Sequence, residues 1–267
     1  KKTLDVLSKK YQQKKEEIAR SQKVDHFSNL FVFGRPAAGK SEFIDFIKNC
    51  EAYKRRKKFG IAPFEIIDDY FFYVELSENE GIFESLGVSR HLTKATSDGI
   101  VVTDRGCFDF VSEKINRMIV KREKERPDYF NTQSRLIEFS RGEAENGYEH
   151  CMKLLHKEIL DQGAIIYIKA SYQEAMRRNE ARYQEKLKFS GLAHKVPEEA
   201  MERFYRDDDW NRLTRSESHG HIEIDGVKIP FVTLDNEEES KDPVVLEARY
   251  EAALQTLLGL WVKKQEK

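Results

Sequence analysis

The stretch FVFGRPAAGKSEFIDFI, residues 31–47, limits what this chain can fold into more than any other. It reads as an apolar strand, a loop of small residues closed by Gly39-Lys40-Ser41, and a helix. Gly34-Arg35-Pro36-Ala37-Ala38-Gly39-Lys40-Ser41 meets the pattern G-x-x-x-x-G-K-[ST] at every fixed position. Each position has a physical cause. Gly34 and Gly39 allow the dihedrals of a loop whose backbone N–H groups turn inward onto phosphate oxygens. The helix that starts near Ser41 adds its positive N-terminal end. Pro36 has no N–H to give, whereas Ala37 and Ala38 keep theirs. Lys40 is expected to reach the β- and γ-phosphates of a nucleotide, and the Ser41 hydroxyl to bind Mg²⁺.

Around this loop, short apolar runs alternate with longer helical patterns. The runs are NLFVFG (29–34), FEIIDD (64–69), RLIEFS (135–140), AIIYIKA (164–170) and PFVTLDN (230–236). Apolarity within them is continuous, as in strands covered on both faces, which predicts a parallel sheet between two helical layers. GIVVTD (99–104) reads as a further strand or part of a hairpin, and HIEIDGVKIP (221–230) as a hairpin turning at Asp225-Gly226. YEHCMKLLHKEILDQG (148–163) has a helical pattern with Gly163 as its stop. In the C-terminal segment Leu246, Tyr250, Leu254, Leu257, Leu258 and Trp261 share one helical face. The expected fold is therefore α/β: a three-layer sandwich with a central, mainly parallel five-stranded sheet, a lid segment and a small β-hairpin. With no repeat or linker dividing the chain, residues 27–267 read as one domain. A basic helical extension, residues 1–26, precedes it.

Composition narrows the function classes. The chain has 267 residues, 39% hydrophobic and 35% charged, with a formal net charge of −1. That supplies a sizeable core and argues against a nucleic-acid grip by the whole surface. Cys50, Cys107 and Cys151 are isolated, as in reduced thiols, and His219 and His221 lack a third metal ligand. No apolar run reaches the length of about 18–20 residues that spans a bilayer, so a soluble, cytoplasmic protein is expected.

Three classes of nucleotide user compete for the loop. A regulatory GTPase needs D-x-x-G and N-K-x-D, and neither occurs. A remodelling ATPase needs an apolar strand ending in Asp-Glu; FEIIDDY only partly imitates one. A kinase accounts for more of the chain. Asp68 and Asp69 close the strand after the loop helix, at the sheet edge where ligands bind. Asp68 is the expected functional member, accepting a proton or holding Mg²⁺, with capping of the next helix as the other use of such a residue. Glu138 ends an apolar strand and is expected to support Mg²⁺ or the acceptor hydroxyl. Arg141, three positions on, either clamps an acceptor or phosphate or forms a structural pair with Glu138. Arg178 and Arg182 share a helical face in a segment expected to act as a lid, roughly 178–206, where they would neutralise the transferred phosphoryl group. A solvated basic face is the alternative.

The order of these features resembles the P-loop kinases of nucleosides, nucleotides and related small metabolites. IIDDYFF looks like the Asp-x-Phe-Tyr region of uridine-kinase-like enzymes, whose Asp serves as base. IEFSRG is similar to the Glu-Arg-Ser segment of deoxynucleoside kinases, with Glu138 and Arg141 two residues further apart. FVTLDN resembles the last core strand of such kinases, which implies that Asn236 contacts adenine. The resemblance implies transfer of the γ-phosphoryl of Mg-ATP to a small-molecule acceptor. The basic run YKRRKKFG (53–60) keeps a 5′-polynucleotide kinase as an alternative, and a non-catalytic ATP-binding module or ATPase is another.

Overall fold

The computed structural model describes residues 25–143, 147–189 and 194–265. Of the helical extension expected over residues 1–26, residues 1–24 lie outside the described residues. The main sheet has six strands in the order β2-β5-β1-β6-β8-β7. They are β1 (Asn29–Phe33), β2 (Phe64–Asp68), β5 (Ser134–Phe139), β6 (Gly163–Lys169), β7 (His219–Ile224) and β8 (Val227–Asp235). The first five in spatial order run parallel, as the apolar runs predicted, and β7 pairs antiparallel with β8 at the edge. The expectation of five strands plus a separate hairpin needs correction. The hairpin does turn at Asp225-Gly226, but its second arm runs on without a break into the last core strand. β3 (Thr93–Ala95) and β4 (Ile100–Val102) form a second, two-stranded sheet, so GIVVTD is the return arm of a small hairpin.

The period-2 geometry of each central strand divides its side chains between two cores. Leu30, Val32, Leu136, Ile166 and Ile168 face one layer. It is built from α1 (Lys40–Asn49), α2 (Ala52–Phe59) and α10 (Pro243–Gln265), where Phe43, Ile47, Phe59, Leu254, Leu257 and Trp261 are buried. Phe31, Phe33, Ile137, Phe139, Ile165 and Tyr167 face the other. There they meet α3 (Asp69–Ser85), α4 (Gly106–Glu125), α5 (Gly147–Leu154) and α6 (Lys157–Asp161). The helix expected over 148–163 is two helices, and Gly163 opens β6. The cause is buried Asn116 of α4. Its amide nitrogen donates to the Leu154 carbonyl and its oxygen accepts from the His156 N–H, replacing the helical bonds between those turns. After β6 come α7 (Tyr172–Leu187), α8 (Glu198–Tyr205) and α9 (Trp210–Thr214). The five parallel strands thus bring their C-terminal ends to one edge, and the phosphate loop, Asp68, Glu138 and the start of α7 all open there.

Candidate active site

The phosphate loop leaves β1 at Gly34 and enters α1 at Lys40. Gly39 has φ +112°, and a Cβ there would meet the Asn236 amide nitrogen at 2.4 Å. Gly34 has φ +147°, and a Cβ there would meet the Ile168 carbonyl oxygen at 2.5 Å. Both glycines are needed twice, for their dihedrals and for their lack of bulk. Lys40 is buried; its ammonium donates to the carbonyls of Gly34 and Arg35, both at 3.0 Å, and to Ser140 Oγ at 2.7 Å. It also lies 3.6 Å from Glu138 Oε1. Ser41 is exposed at the helix start. Arg35 turns its side chain away from the phosphate side, toward Asp208 at 2.9 Å and the Tyr205 carbonyl at 3.0 Å, leaving only its backbone for a ligand.

Asp68 and Glu138 are register partners on β2 and β5, so two carboxylates stand side by side at the sheet edge. Asp68 Oδ1 caps α3 by accepting from the Tyr70 N–H at 2.9 Å. The capping use and the cavity position therefore belong to one residue. Burial pushes the Glu138 carboxyl up to about 7; Lys40 pulls against it, and the charges of Asp68 and Asp69 add to the upward push. A carboxyl of that kind changes charge near neutral pH.

The arginines are placed differently from the sequence expectation. Arg141 is buried and pairs with Asp69 Oδ2 at 2.5 Å, not with Glu138. Its guanidinium packs over Phe139 and Phe108, with its carbon 4.9 and 5.3 Å from the ring centres. It does not line the cavity and so does not serve as an acceptor clamp there. Arg178 is buried as well. It donates to the carbonyls of Asn236 (2.7 Å), Glu237 (3.1 Å) and Ala38 (3.4 Å) and pairs with Glu174 at 2.7 Å. The Arg177 guanidinium, with Arg178 behind it, holds the Glu174 carboxyl at about 2. Arg178 thus ties the phosphate loop to the segment after β8 and lines the larger cavity on this edge, whereas Arg182 lines both cavities. Asn236 does related work: buried, it donates from its side-chain amide to the Ala38 carbonyl at 2.8 Å.

Two cavities open on this edge. One, of ≈ 200 Å³, is lined by Pro36, Lys40, Asp68, Glu138, Tyr70 and Tyr73 among others. The second, of ≈ 750 Å³, lies between α7, Asn236 and Tyr250 of α10. Ser41, Arg182 and Lys186 line both. The two cavities therefore meet where the phosphate loop runs into α1. Ser140, Tyr70, Tyr73, His194 and Lys186 are wall residues that were missed in the sequence. Lys186 follows Arg182 at i+4 and had a readable signal. His194, stacked on Tyr70 with ring centres 5.9 Å apart, had none. Of the expected lid, residues 194–205 lie over the first cavity, joined to α7 by hydrogen bonds between the Asn179 side chain and the Val196 backbone. Residues 190–193 are outside the described residues.

A hard divalent cation suits the oxygen donors Ser41, Asp68 and Glu138. Among the described residues there is no group of three or more His, Cys, Asp or Glu able to hold a metal by themselves. A cation here would complete its shell with phosphate oxygens and water, as Mg²⁺ does in nucleotide sites. No described helix is long and apolar enough to cross a membrane.

Neither a family model nor a curated protein matches the sequence. Several solved structures are similar to it at low sequence identity. One is a sugar kinase from Janibacter sp. HTCC2649, at 12% identity over 88% of this chain and 98% of that one, with a TM-score of 0.38. Another is a shikimate kinase from Acinetobacter baumannii in complex with shikimate, at 14% identity over 88% and 96%, TM-score 0.39. A third is TT1252 from Thermus thermophilus, at 14% identity over 88% and 98%, TM-score 0.43. The architecture sets a phosphate loop after a central strand of a mainly parallel sheet.

Proposed function

We propose that this protein transfers the γ-phosphoryl group of ATP to a small-molecule acceptor. The observation that carries the reading is the pair of cavities that meet at Ser41, Arg182 and Lys186. The first brings Pro36, Ala37, Gly39 and Lys40 of the loop together with Asp68 and Glu138, and the second, bounded by Asn236 and Tyr250, gives room for the rest of a nucleotide. A module that only binds a nucleotide needs one such space; a two-substrate transferase needs two with a common boundary.

In this reading the loop backbone and Lys40 hold the β- and γ-phosphates, and Lys40 exchanges its bonds to Gly34, Arg35 and Ser140 for phosphate oxygens. The acceptor hydroxyl lies against Asp68 and Glu138. Its oxygen forms a bond to the γ-phosphorus as the bond from that phosphorus to the β–γ bridging oxygen breaks. ADP leaves with the electron pair, and the hydroxyl proton passes to Glu138 or Asp68. Arg182 and Lys186 neutralise charge on the moving group. Mg²⁺ on Ser41, Asp68 and Glu138 would supply further charge neutralisation. The polynucleotide alternative has weaker electrostatic support, because three of the five basic residues of the 53–60 run, most of which forms α2, have carboxylate partners. Lys54 and Lys58 pair with Glu247, Lys58 also with Glu251, and Arg56 with Asp25.

The test is a transfer assay with γ-labelled ATP against neutral and anionic hydroxyl compounds and 5′-hydroxyl oligonucleotides. Label is expected in a small acceptor, in amounts that require Lys40. Tight ATP binding with no labelled product from any acceptor would overturn the proposal in favour of a binding module.

A further inference from the structure

Arg35 belongs to the phosphate loop by its backbone and to another part of the molecule by its side chain. The guanidinium is 13% exposed and reaches two segments beyond the loop. Nε donates to the Tyr205 carbonyl at 3.0 Å, Nη2 to the Arg206 carbonyl at 3.3 Å and Nη1 to the Ala170 carbonyl at 3.3 Å. Nη1 also pairs with Asp208 Oδ2 at 2.9 Å. That oxygen accepts from the Tyr167 hydroxyl at 2.7 Å as well, so the sheet fixes its position. The planar fork of an arginine serves acceptors in several directions at once. A lysine would keep the charge opposite Asp208 and lose the fork.

The segment so held, residues 204–209, is where the chain leaves α8. Tyr205 lines the first cavity, and Phe204 and Tyr205 together with Tyr73 and Phe108 line a recess of ≈ 40 Å³ beside it. The far side of the segment is fixed to the connection between β5 and α5. There the Glu143 N–H donates to the Asp207 carbonyl at 2.9 Å. The Asp209 carboxylate caps α5, accepting from the N–H groups of Tyr148 at 2.7 Å and Glu149 at 3.0 Å. A Cβ at Gly142 would stand 1.6 Å from the Phe204 carbonyl oxygen, so the two stretches of chain touch. Arg35 therefore ties the phosphate loop to a wall segment whose other anchors lie on β5, β6 and α5.

The second observation is at the other end of the same residue. The Arg35 carbonyl accepts from Lys40 Nζ at 3.0 Å and from the Ala38 N–H at 3.1 Å. Phosphates in the loop engage its N–H groups and Lys40, and so fix the backbone from which Arg35 projects.

Building on the phosphotransfer reading, we infer that Arg35 is a positioning residue that couples nucleotide occupancy of the loop to the Tyr205 wall of the first cavity. The loop sets Arg35, Arg35 sets residues 205–208, and these set Tyr205 against the cavity. The side chain itself touches neither substrate. Its effect falls on the fit of the acceptor, while nucleotide affinity rests on the loop backbone and Lys40.

Amide hydrogen exchange of α8 and residues 206–209 reads the coupling directly, with and without a non-hydrolysable ATP analogue. In the unaltered protein the analogue is expected to slow exchange there by about threefold or more, and in Arg35→Lys to leave it unchanged. Calorimetry is expected to show analogue affinity for Arg35→Lys within about threefold of the unaltered protein, with the melting temperature as a folding control. Asp208→Asn leaves the loop sequence intact and is expected to lose the same response, and it decides the matter should Arg35→Lys not fold. Four results would overturn the inference: no response in the unaltered protein, a response kept in Arg35→Lys, protection lost throughout the sheet, or a fall of about tenfold in analogue affinity, which would place the side chain in the donor site. Kinetics separate the coupling from the reaction. With an acceptor found in the transfer assay, Arg35→Lys is expected to raise the acceptor KM about fivefold and to change the ATP KM much less. Coupling in a protein that transfers to no acceptor would sink the phosphotransfer reading and leave Arg35 in its role. Transfer with an unchanged acceptor KM and an intact exchange response in Arg35→Lys would do the opposite.

Discussion

In the proposed phosphotransfer reading, the donor side and the acceptor side of this cleft are built on different principles. The donor side is backbone: one loop of eight residues, with φ values of +147° at Gly34, +61° at Ala37 and +112° at Gly39, shaped to present N–H groups. Buried side chains brace it from behind, Arg178 and Asn236 through the Ala38 carbonyl and Arg35 through Asp208. The acceptor side is made of side chains brought from β2, α3, α4, β5 and α8. A backbone site accepts any ligand with the right phosphates. A side-chain site selects by shape and charge, and it can be altered one residue at a time. The difference locates general nucleotide use on one side and specificity on the other.

The comparison is tested hardest at Lys40. Lys40→Ala is expected to lower kcat by about 10³-fold, with a smaller loss of nucleotide affinity because the loop N–H groups remain. Steady-state kinetics and nucleotide titration on one preparation separate the two effects. A loss confined to nucleotide affinity would mean that Lys40 belongs wholly to the donor side. Next in size are the buried acid and base behind the acceptor wall. Arg141→Met is expected to cost about 3–4 kcal/mol in urea unfolding, because Asp69 is left charged without its partner. The double variant Asp69→Asn/Arg141→Met should recover much of that loss. Activity lost without destabilisation would return Arg141 to the acceptor site.

Glu138→Gln comes third, with an expected fall in kcat of about 10²-fold. It also carries a pH signature. A base held at about 7 must be deprotonated to act, so activity of the unaltered protein should rise through pH 7 and level off above it. The Gln variant should lose that limb, and Asp68→Asn should lower activity while keeping it. The reverse pattern would make Asp68 the base.

How much of this was legible in the sequence follows the same division. The phosphate loop depends on residues adjacent in the chain, and its glycine spacing could be read directly. The five parallel strands were legible because burial on both faces leaves continuous apolar runs. The acceptor side was only partly so. Asp68 and Glu138 were found because each ends an apolar strand. The partner of Arg141 was not, because the choice between Asp69 and Glu138 is made by side-chain direction at the ends of β2 and β5. Arg178 and Arg182 share a helical face in sequence, yet one is buried and the other opens on both cavities. That difference is set by how far each stands from the end of β8, which no local pattern encodes. Tyr73, Phe108 and Phe204 read as ordinary core residues until the fold brings them to one recess.

The smallest effect is also the sharpest measure of what the acceptor side costs the fold. Glu138 has a raised carboxyl, so the folded state binds its proton more tightly than the unfolded chain, whose value is 4.5. Its protonated form is fully compatible with burial below pH 4.5. Stability is then lost as pH rises from 4.5 through about 7, where the folded state must carry the charge. Glu138→Gln removes that titration. The variant is expected to match the unaltered protein near pH 4.5 and to exceed it by on the order of 1 kcal/mol at pH 8, less than the full shift implies because Lys40 loses its partner. Urea unfolding at the two pH values reads the difference. A variant less stable at pH 8 would show that the Lys40 ion pair outweighs burial. The acceptor carboxylate would then strengthen the fold instead of straining it.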